Sequence, residues 1–290
     1  LDKQVVSPGR GTAGYILPGG ALQAALARAA RDAGAKFITM SRPPAVEPHE
    51  DGVRVHAQRE VQARVALLTG AAPGEALRRL AFQAVGLLSQ SPLAAALECP
   101  LPAREARKSA PALTLLEPHD RNDTVLFFAA AGVFHLRLIR RSNRPIAYEE
   151  LAALLERLQQ AGAAPGPLRV PKALSATWLP PAGVAMEMVT HVARRSLLAG
   201  PAGGFADIIT AQTLLPGVSS ALMAADVIDK SLAEGDPQVS LGDYDEIWQR
   251  TLARQLAPPS TPLSLLLPLV FVNARILARF TAAVLRGQDI

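Results

Sequence analysis

Leu197–Thr210 reads LLAGPAGGFADIIT, and this stretch decides how the chain is understood. An apolar run, Leu197–Ala199, meets glycines at 200, 203 and 204. Phe205, Asp207 and Thr210 follow, and a helical pattern begins beyond them. Glycine lets a backbone approach a ligand or another backbone closely. Open α/β sheets bind ligands beyond the carboxyl ends of their strands. The segment therefore predicts a short strand at Ser196–Ala199, a tight turn and then a helix. Two readings stay open: a turn that holds a ligand, and a tight turn that holds none.

The last third extends this texture. Ser219–Ala233 has the helical period, with Leu222, Ala225, Val227 or Ile228, and Leu232 inward. Asp243–Leu256 is a second helix, entered on acidic residues that suit a helix N-terminus. Its Tyr244, Ile247, Trp248 and Leu252 mark one face. Pro262–Arg286 is an apolar helix, with Arg275, Arg279 and Arg286 on its polar side. Core packing, a wall for a prenyl or lipid substrate, and contact with a bilayer surface are its three readings.

Toward the N-terminus, Gly20–Gly34 predicts a helix through Leu22, Leu26, Ala29 and Ala33. Lys36–Met40 (KFITM) predicts a strand, and Val53–Arg59 a half-exposed one. Ala63–Thr69 (ARVALLT) reads as a buried parallel strand. This order fits a doubly wound sheet with a small antiparallel excursion. Ser91–Pro118 reads as a crossing linker, with Cys99 in a proline-flanked loop. Thr124–Arg141 predicts strands, because Phe134, Leu136 and Leu138 alternate with His135 and Arg137. Glu149–Gln160 predicts an amphipathic helix through Leu151, Leu154, Leu155 and Leu158.

Hydrophobic residues make up 49% of the 290 and charged residues 19%, which excludes disorder. Aromatics are only 4%, so the core is expected to be aliphatic. The net charge of +5 is spread over arginine pairs such as Arg78–Arg79, Arg140–Arg141 and Arg194–Arg195. No aromatic residues interleave with them as a nucleic-acid surface requires, so no nucleic-acid partner is expected. A solvated basic face, or weak attraction to anionic lipid or a phosphorylated substrate, is what remains. A single cysteine excludes a disulfide framework and fits a reducing, cytoplasmic compartment.

His49, His56, His119, His135 and His191 show no metal-ligand spacing, and no metal is expected. His135, on an alternating strand, has two readings: a side chain facing a substrate pocket, and one simply packed or surface-exposed. No G-x-S-x-G elbow and no P-loop occurs. Gly9–Gly14 matches GxGxxG, but Tyr15–Gly20 separates it from the helix, so a glycine-rich loop explains it better. The run Leu265–Val272 is too short to span a bilayer.

The glycine turn resembles the second flavin-contacting segment of FAD-dependent oxidoreductases of the geranylgeranyl reductase and aromatic hydroxylase type. Gly200, Ala202, Gly203, Gly204, Phe205, Asp207 and Thr210 carry the match. Pro201 stands where the family has aspartate, and Ala211 and Thr213 stand where it has glycine. Gly14–Leu17 with Leu22–Phe37, and the turn Thr69–Gly74 followed by Arg78 and Arg79, resemble two further family segments. Ser219–Asp226 and Tyr244–Trp248 resemble its packing helices.

The resemblance implies an α/β flavoprotein fold, Rossmann-like, lacking its N-terminal βαβ start. It implies an inserted antiparallel-sheet substrate layer and C-terminal helices. The expected divisions are 1–89, a partial FAD-binding domain; 90–185, the sheet layer; and 186–290, a return to the FAD-binding domain. It implies FAD held by Gly200, Pro201, Ala202, Gly203, Gly204 and Asp207, and an oxidoreductase of reductase or monooxygenase type. The implied substrate is hydrophobic, an isoprenoid among the candidates, and a membrane surface is a candidate peripheral partner. No side chain stands out as a catalytic acid or base. Two alternatives stay open: a degenerate, non-catalytic binding or scaffold module, and a lipid carrier.

Overall fold

The computed structural model of the chain describes residues 19–40, 44–70, 74–82, 94–106, 113–116, 123–130, 132–140, 144–166, 168, 170–172, 175–177, 184–207, 213–235, 240–257, 260–261, 263–273 and 275–280. Helix α1 (Gly19–Asp32) comes first. Strands β1 (Ala45–His49), β2 (Gly52–His56), β3 (Glu60–Ala63) and β4 (Ala66–Leu68) follow, then α2 (Gly74–Arg79). Next come β5 (Ala94–Pro100), α3 (Ala103–Ala106), β6 (Leu113–Leu116), β7 (Asp123–Ala130) and β8 (Val133–Arg140). Helix α4 (Tyr148–Gln160) and β9 (Ser175–Thr177) complete that stretch. The remainder runs through α5 (Val184–Glu187), β10 (Val192–Ala193), β11 (Ser196–Leu198) and a 3-10 turn (Gly200–Gly203). It ends in α6 (Leu214–Glu234), α7 (Asp243–Leu256) and α8 (Leu263–Val272).

These elements fall into two compact, interleaved units. The first comprises Leu1–Phe37, Ala94–Thr177 and Ser260–Ile290; the second comprises Ile38–Leu93 and Trp178–Pro259.

The first unit is built on an antiparallel sheet of order β6-β7-β8-β5-β9. On β8, Phe134, Leu136 and Leu138 are buried and alternate with half-buried Val133, His135 and Arg137, the period-2 pattern of a sheet with one covered face. The cover includes α4, whose Leu151, Leu155 and Leu158 enter one cluster with Leu97, Cys99, Phe127 and Leu136. Glu149 and Glu150 occupy its first turn, where carboxylates oppose the helix dipole. Arg140 is nearly fully buried and forms a bidentate pair with Asp123 directly across the ladder, at 2.9 and 2.8 Å. It also reaches Glu150 at 2.7 Å. The hydrogen bond to Asp123, more than that to Glu150, pushes the guanidinium pKa further up despite its burial.

The second unit holds the antiparallel meander β1-β2-β3 and a smaller sheet of order β10-β11-β4. Strands β11 and β4 run parallel, with Leu197 opposite Leu67. Leu198 packs with Val46, Leu77, Leu80 and Ala202, whereas Leu197 packs with Phe205, Val227, Tyr244 and Trp248. Both faces of β11 are therefore covered, as the continuous apolar run requires.

The structure corrects several sequence expectations. Residues 36–40 form no strand, and Phe37 and Ile38 are exposed. Ser91–Pro118 is not a linker, since it contains β5, α3 and β6, and β5 lies inside its sheet between β8 and β9. Cys99 lies on that strand and is fully buried, and burial pushes its thiol pKa up. On α6, Leu222 is exposed, and Ser220, Ala224, Val227 and Ser231 face inward. The apolar C-terminal helix is interrupted after Val272, where Asn273 Oδ1 accepts the N–H groups of Arg275 and Ile276 and caps a separate segment at 275–280. No helix among the described residues is long and apolar enough to cross a membrane.

Candidate functional site

Strand β11 ends in the glycine turn, and the parallel pair aims it. Ala199 N–H donates to the Leu68 carbonyl at 2.9 Å, which continues the pairing with β4 up to the turn. Gly200 then takes φ of +56°. A Cβ on Gly200 would lie 3.0 Å from the Thr69 carbonyl oxygen and 3.7 Å from Gly217 Cα. Gly217 belongs to the first turn of α6, so the glycine pair lets strand end and helix start meet backbone to backbone. The Gly200 N–H donates to Ser220 Oγ at 2.9 Å, and that hydroxyl donates to the Gly217 carbonyl at 3.1 Å. Pro201 occupies the turn's first positions, where a missing N–H costs nothing. Gly204 closes the turn in the left-handed conformation, φ +77°.

A polar cluster supports the turn from behind. His191 is fully buried, and its Nε2 donates to the Gly203 carbonyl at 2.8 Å. A carbonyl only accepts, so Nε2 carries the proton. The His191 backbone N–H donates to Asp245 Oδ1 at 2.9 Å. Thr190 Oγ1 donates to Asp245 Oδ2 at 2.6 Å, and Trp248 Nε1 to Oδ1 at 3.1 Å. His191 Nδ1 lies 3.4 Å from Oδ1 but is not aligned for a hydrogen bond. Burial pushes the Asp245 carboxyl up, yet the donors of His191, Thr190 and Trp248 outweigh it and hold the group below the ordinary carboxylate range. The imidazole packs 5.0 Å from the Phe205 ring and 4.8 Å from Trp248. Tyr244 donates its hydroxyl to the Leu198 carbonyl at 3.0 Å, and burial raises that phenol's pKa.

Of the residues nominated from the sequence, Gly200, Ala202, Gly203 and Gly204 are buried, while Pro201 and Asp207 are half-buried. A Cβ on Gly203 would lie 2.6 Å from Phe205 Cε2 and 2.9 Å from His191 Cδ2. The glycines at 200 and 203 are thus required by packing inside the protein. Asp207 has a partner within the protein. Thr210 and Ala211 lie outside the described residues, as do Gly9–Gly14 and Tyr15–Leu17. Gly70 is described, but 71–73 of its turn are not. His135 sits in the first unit, stacked on Phe128 at 4.6 Å and 3.5 Å from Glu98.

The sequence reading missed His191, Asp245 and Ser220 as supports of the turn. Asp245 sits between Tyr244 and Trp248, whose aromatic packing hid its polar role. Nothing in the spacing of His191 and Asp245, 54 residues apart, announces their meeting. Among the described residues no group of His, Cys, Asp and Glu could hold a metal ion.

No family model matches the chain, and no curated protein matches it by sequence. Solved structures do match it in three dimensions. A geranylgeranyl bacteriochlorophyll reductase-like protein from Thermoplasma acidophilum matches over 99% of this chain and 72% of its own, with TM-score 0.72 and 16% identity. An aromatic hydroxylase from angucycline biosynthesis matches over 94% and 58%, with TM-score 0.58 and 18% identity. A flavin-dependent monooxygenase solved in complex with FAD and substrate matches over 92% and 52%, with TM-score 0.58 and 17% identity. The chain therefore spans little more than half the length of the second and third. At these identities the shared property is the fold: a mixed α/β fold of the kind found in FAD-dependent reductases and monooxygenases.

Proposed function

We propose that the chain is part of an FAD-dependent oxidoreductase, of reductase or monooxygenase type, acting on a hydrophobic substrate. The observation that carries this reading is the parallel β4–β11 pair closing on a glycine turn against the start of α6. Open α/β folds place ligands beyond the carboxyl ends of parallel strands, which is the end that this turn occupies.

The turn fits a flavin in its backbone and departs from it in its side chains. Small residues and two left-handed glycines give a low profile, and the α6 N-terminus adds a partial positive charge nearby. Pro201 and Asp207 are the turn residues that reach its surface, so they would border the cofactor. The proline side chain offers no acceptor for a hydroxyl, the residue has no N–H, and its carbonyl already accepts the Gly204 N–H at 3.1 Å. When bound, FAD would supply hydride transfer or oxygen activation. This chain's own contribution is positional: His191, Ser220 and Gly217 hold the turn in one shape, and the closed aromatic cluster behind it excludes water.

The second reading is a non-catalytic homologue that keeps the fold as a binding module. Two observations favour it: proline at 201, and the His191 and Phe205 rings filling the space beside Gly203. One titration separates the two. The purified full-length protein is examined for flavin absorbance between about 350 and 500 nm and titrated with FAD, following the quenching of flavin fluorescence. Saturable uptake of FAD supports the oxidoreductase. A colourless protein that takes up none refutes it and leaves the binding module.

A further inference from the structure

The opposite end of β11 carries a different feature. β10 and β11 are joined by two residues alone, Arg194 and Arg195. Both have positive φ, 46° and 60°. Two-residue hairpins of the primed type need that sign, and Gly, Asn or Asp usually supplies it. A residue with a Cβ is strained in the left-handed region, because its Cβ crowds the following carbonyl oxygen. The chain keeps two arginines where glycine would sit without strain. Strain of this kind concentrates at ligand sites, and the glycine turn, beyond the far end of the strand, does not explain it.

The two arginines line an open surface depression of about 370 Å³ together with Pro48, His49 and Glu50 from the tip of the β1–β2 hairpin. Arg194 is exposed; Arg195 is half-buried and has a partner within the protein. His49 Nδ1 accepts the Asp51 N–H at 3.5 Å, which leaves Nε2 as the ring's donor. Glu47, the preceding carboxylate on β1, is bound by Arg79 at 2.6 Å and by His56 at 3.3 Å. Glu50 is the single acid of the lining, and Arg194 is the guanidinium set against it, since Arg195 is already engaged within the protein.

We propose that this open depression binds a phosphate group, presented by a phosphorylated small molecule or by a phospholipid headgroup. A guanidinium meets two phosphate oxygens with two parallel N–H donors, which an isolated ammonium cannot do. Arg194 supplies that fork, and His49 Nε2–H adds a further donor direction. The strained turn places both arginines in the lining of the depression.

The full chain is unfolded thermally in sodium phosphate and in sodium chloride of matched ionic strength. In parallel it is sedimented with phosphatidylcholine vesicles made with and without phosphatidic acid. A saturable rise in unfolding midpoint with phosphate assigns a soluble phosphate compound. Sedimentation that requires phosphatidic acid, without that rise, assigns a headgroup; either supports the site. Arg194→Gly is expected to raise the midpoint in chloride by relieving the backbone, and to weaken phosphate or vesicle binding at least about tenfold. His49→Ala, away from the strained turn, is expected to weaken the same binding. Absence of both interactions in the wild-type chain overturns the proposal, as does binding unchanged in both variants.

Discussion

The buried ring of His191 donates through Nε2 to the carbonyl of Gly203 at 2.8 Å, tying the glycine turn to the segment that enters β10. Through its own N–H the same residue is anchored on Asp245 of α7. The shape of the turn therefore depends on a residue outside it. Replacing His191 with alanine removes the bond and opens a cavity beside Phe205 and Trp248. We expect a loss of about 2–4 kcal/mol in urea unfolding followed by Trp248 emission in a Trp178→Phe background. A change under about 0.5 kcal/mol would show that the turn holds itself.

At Gly203 the opposite error is predicted, overpacking. An added Cβ meets two aromatic rings inside 3 Å, and rings in a packed cluster yield little. Gly203→Ala should destabilise the second unit by about 1–3 kcal/mol, read in the same unfolding experiment.

Pro201 gives a prediction that bears on the cofactor. Aspartate at this half-buried position would restore an acceptor at the surface of the turn. Pro201→Asp is expected to tighten FAD binding about tenfold if the turn faces the flavin. Unchanged affinity in a fluorescence titration would place the cofactor elsewhere.

Among the described residues of the first unit, Arg140 is the most deeply buried charged side chain. Arg140→Met leaves Asp123 buried without its partner and should cost about 3–5 kcal/mol. The double variant Arg140→Met, Asp123→Leu should recover much of that loss, because a buried pair replaced by apolar residues is often nearly neutral. Recovery is checked by the difference between the two unfolding midpoints in denaturant.

Acid should weaken the second unit through Asp245. Its folded pKa is depressed, so the stability it contributes is complete above its unfolded value, near 3.9, and is lost as pH falls through the folded value. Unfolding free energy should therefore decline below about pH 4, and Asp245→Asn should flatten that limb. An unchanged slope in the variant would assign the decline to other carboxylates.

Helices α4 and α7 could be read from the sequence because each repeats its apolar residues at the helical period and carries acidic residues in its first turn. Strand β8 could be read because Phe134, Leu136 and Leu138 alternate cleanly. The inward face of α6 could be read only in part. The period places Val227 inward correctly, but Leu222 suggests another side, and the closeness of Gly200 to Gly217 accounts for the buried serine at 220. Strand β5 was masked by prolines at its margins. Pro100 ends the strand, yet Ala94–Cys99 needed two neighbouring strands to become a strand at all.

The sequence by itself determined that a strand, a glycine-rich turn and a helix succeed one another around residue 200, because local propensity and periodicity act over a few residues. Only the tertiary structure decided what the glycines are for. Their missing side chains are answered by Thr69, Gly217, Phe205 and His191, contacts between residues separated by up to about 130 positions. Such contacts arise from packing, which local pattern does not encode, and they make the turn a fixed shape before any ligand reaches it.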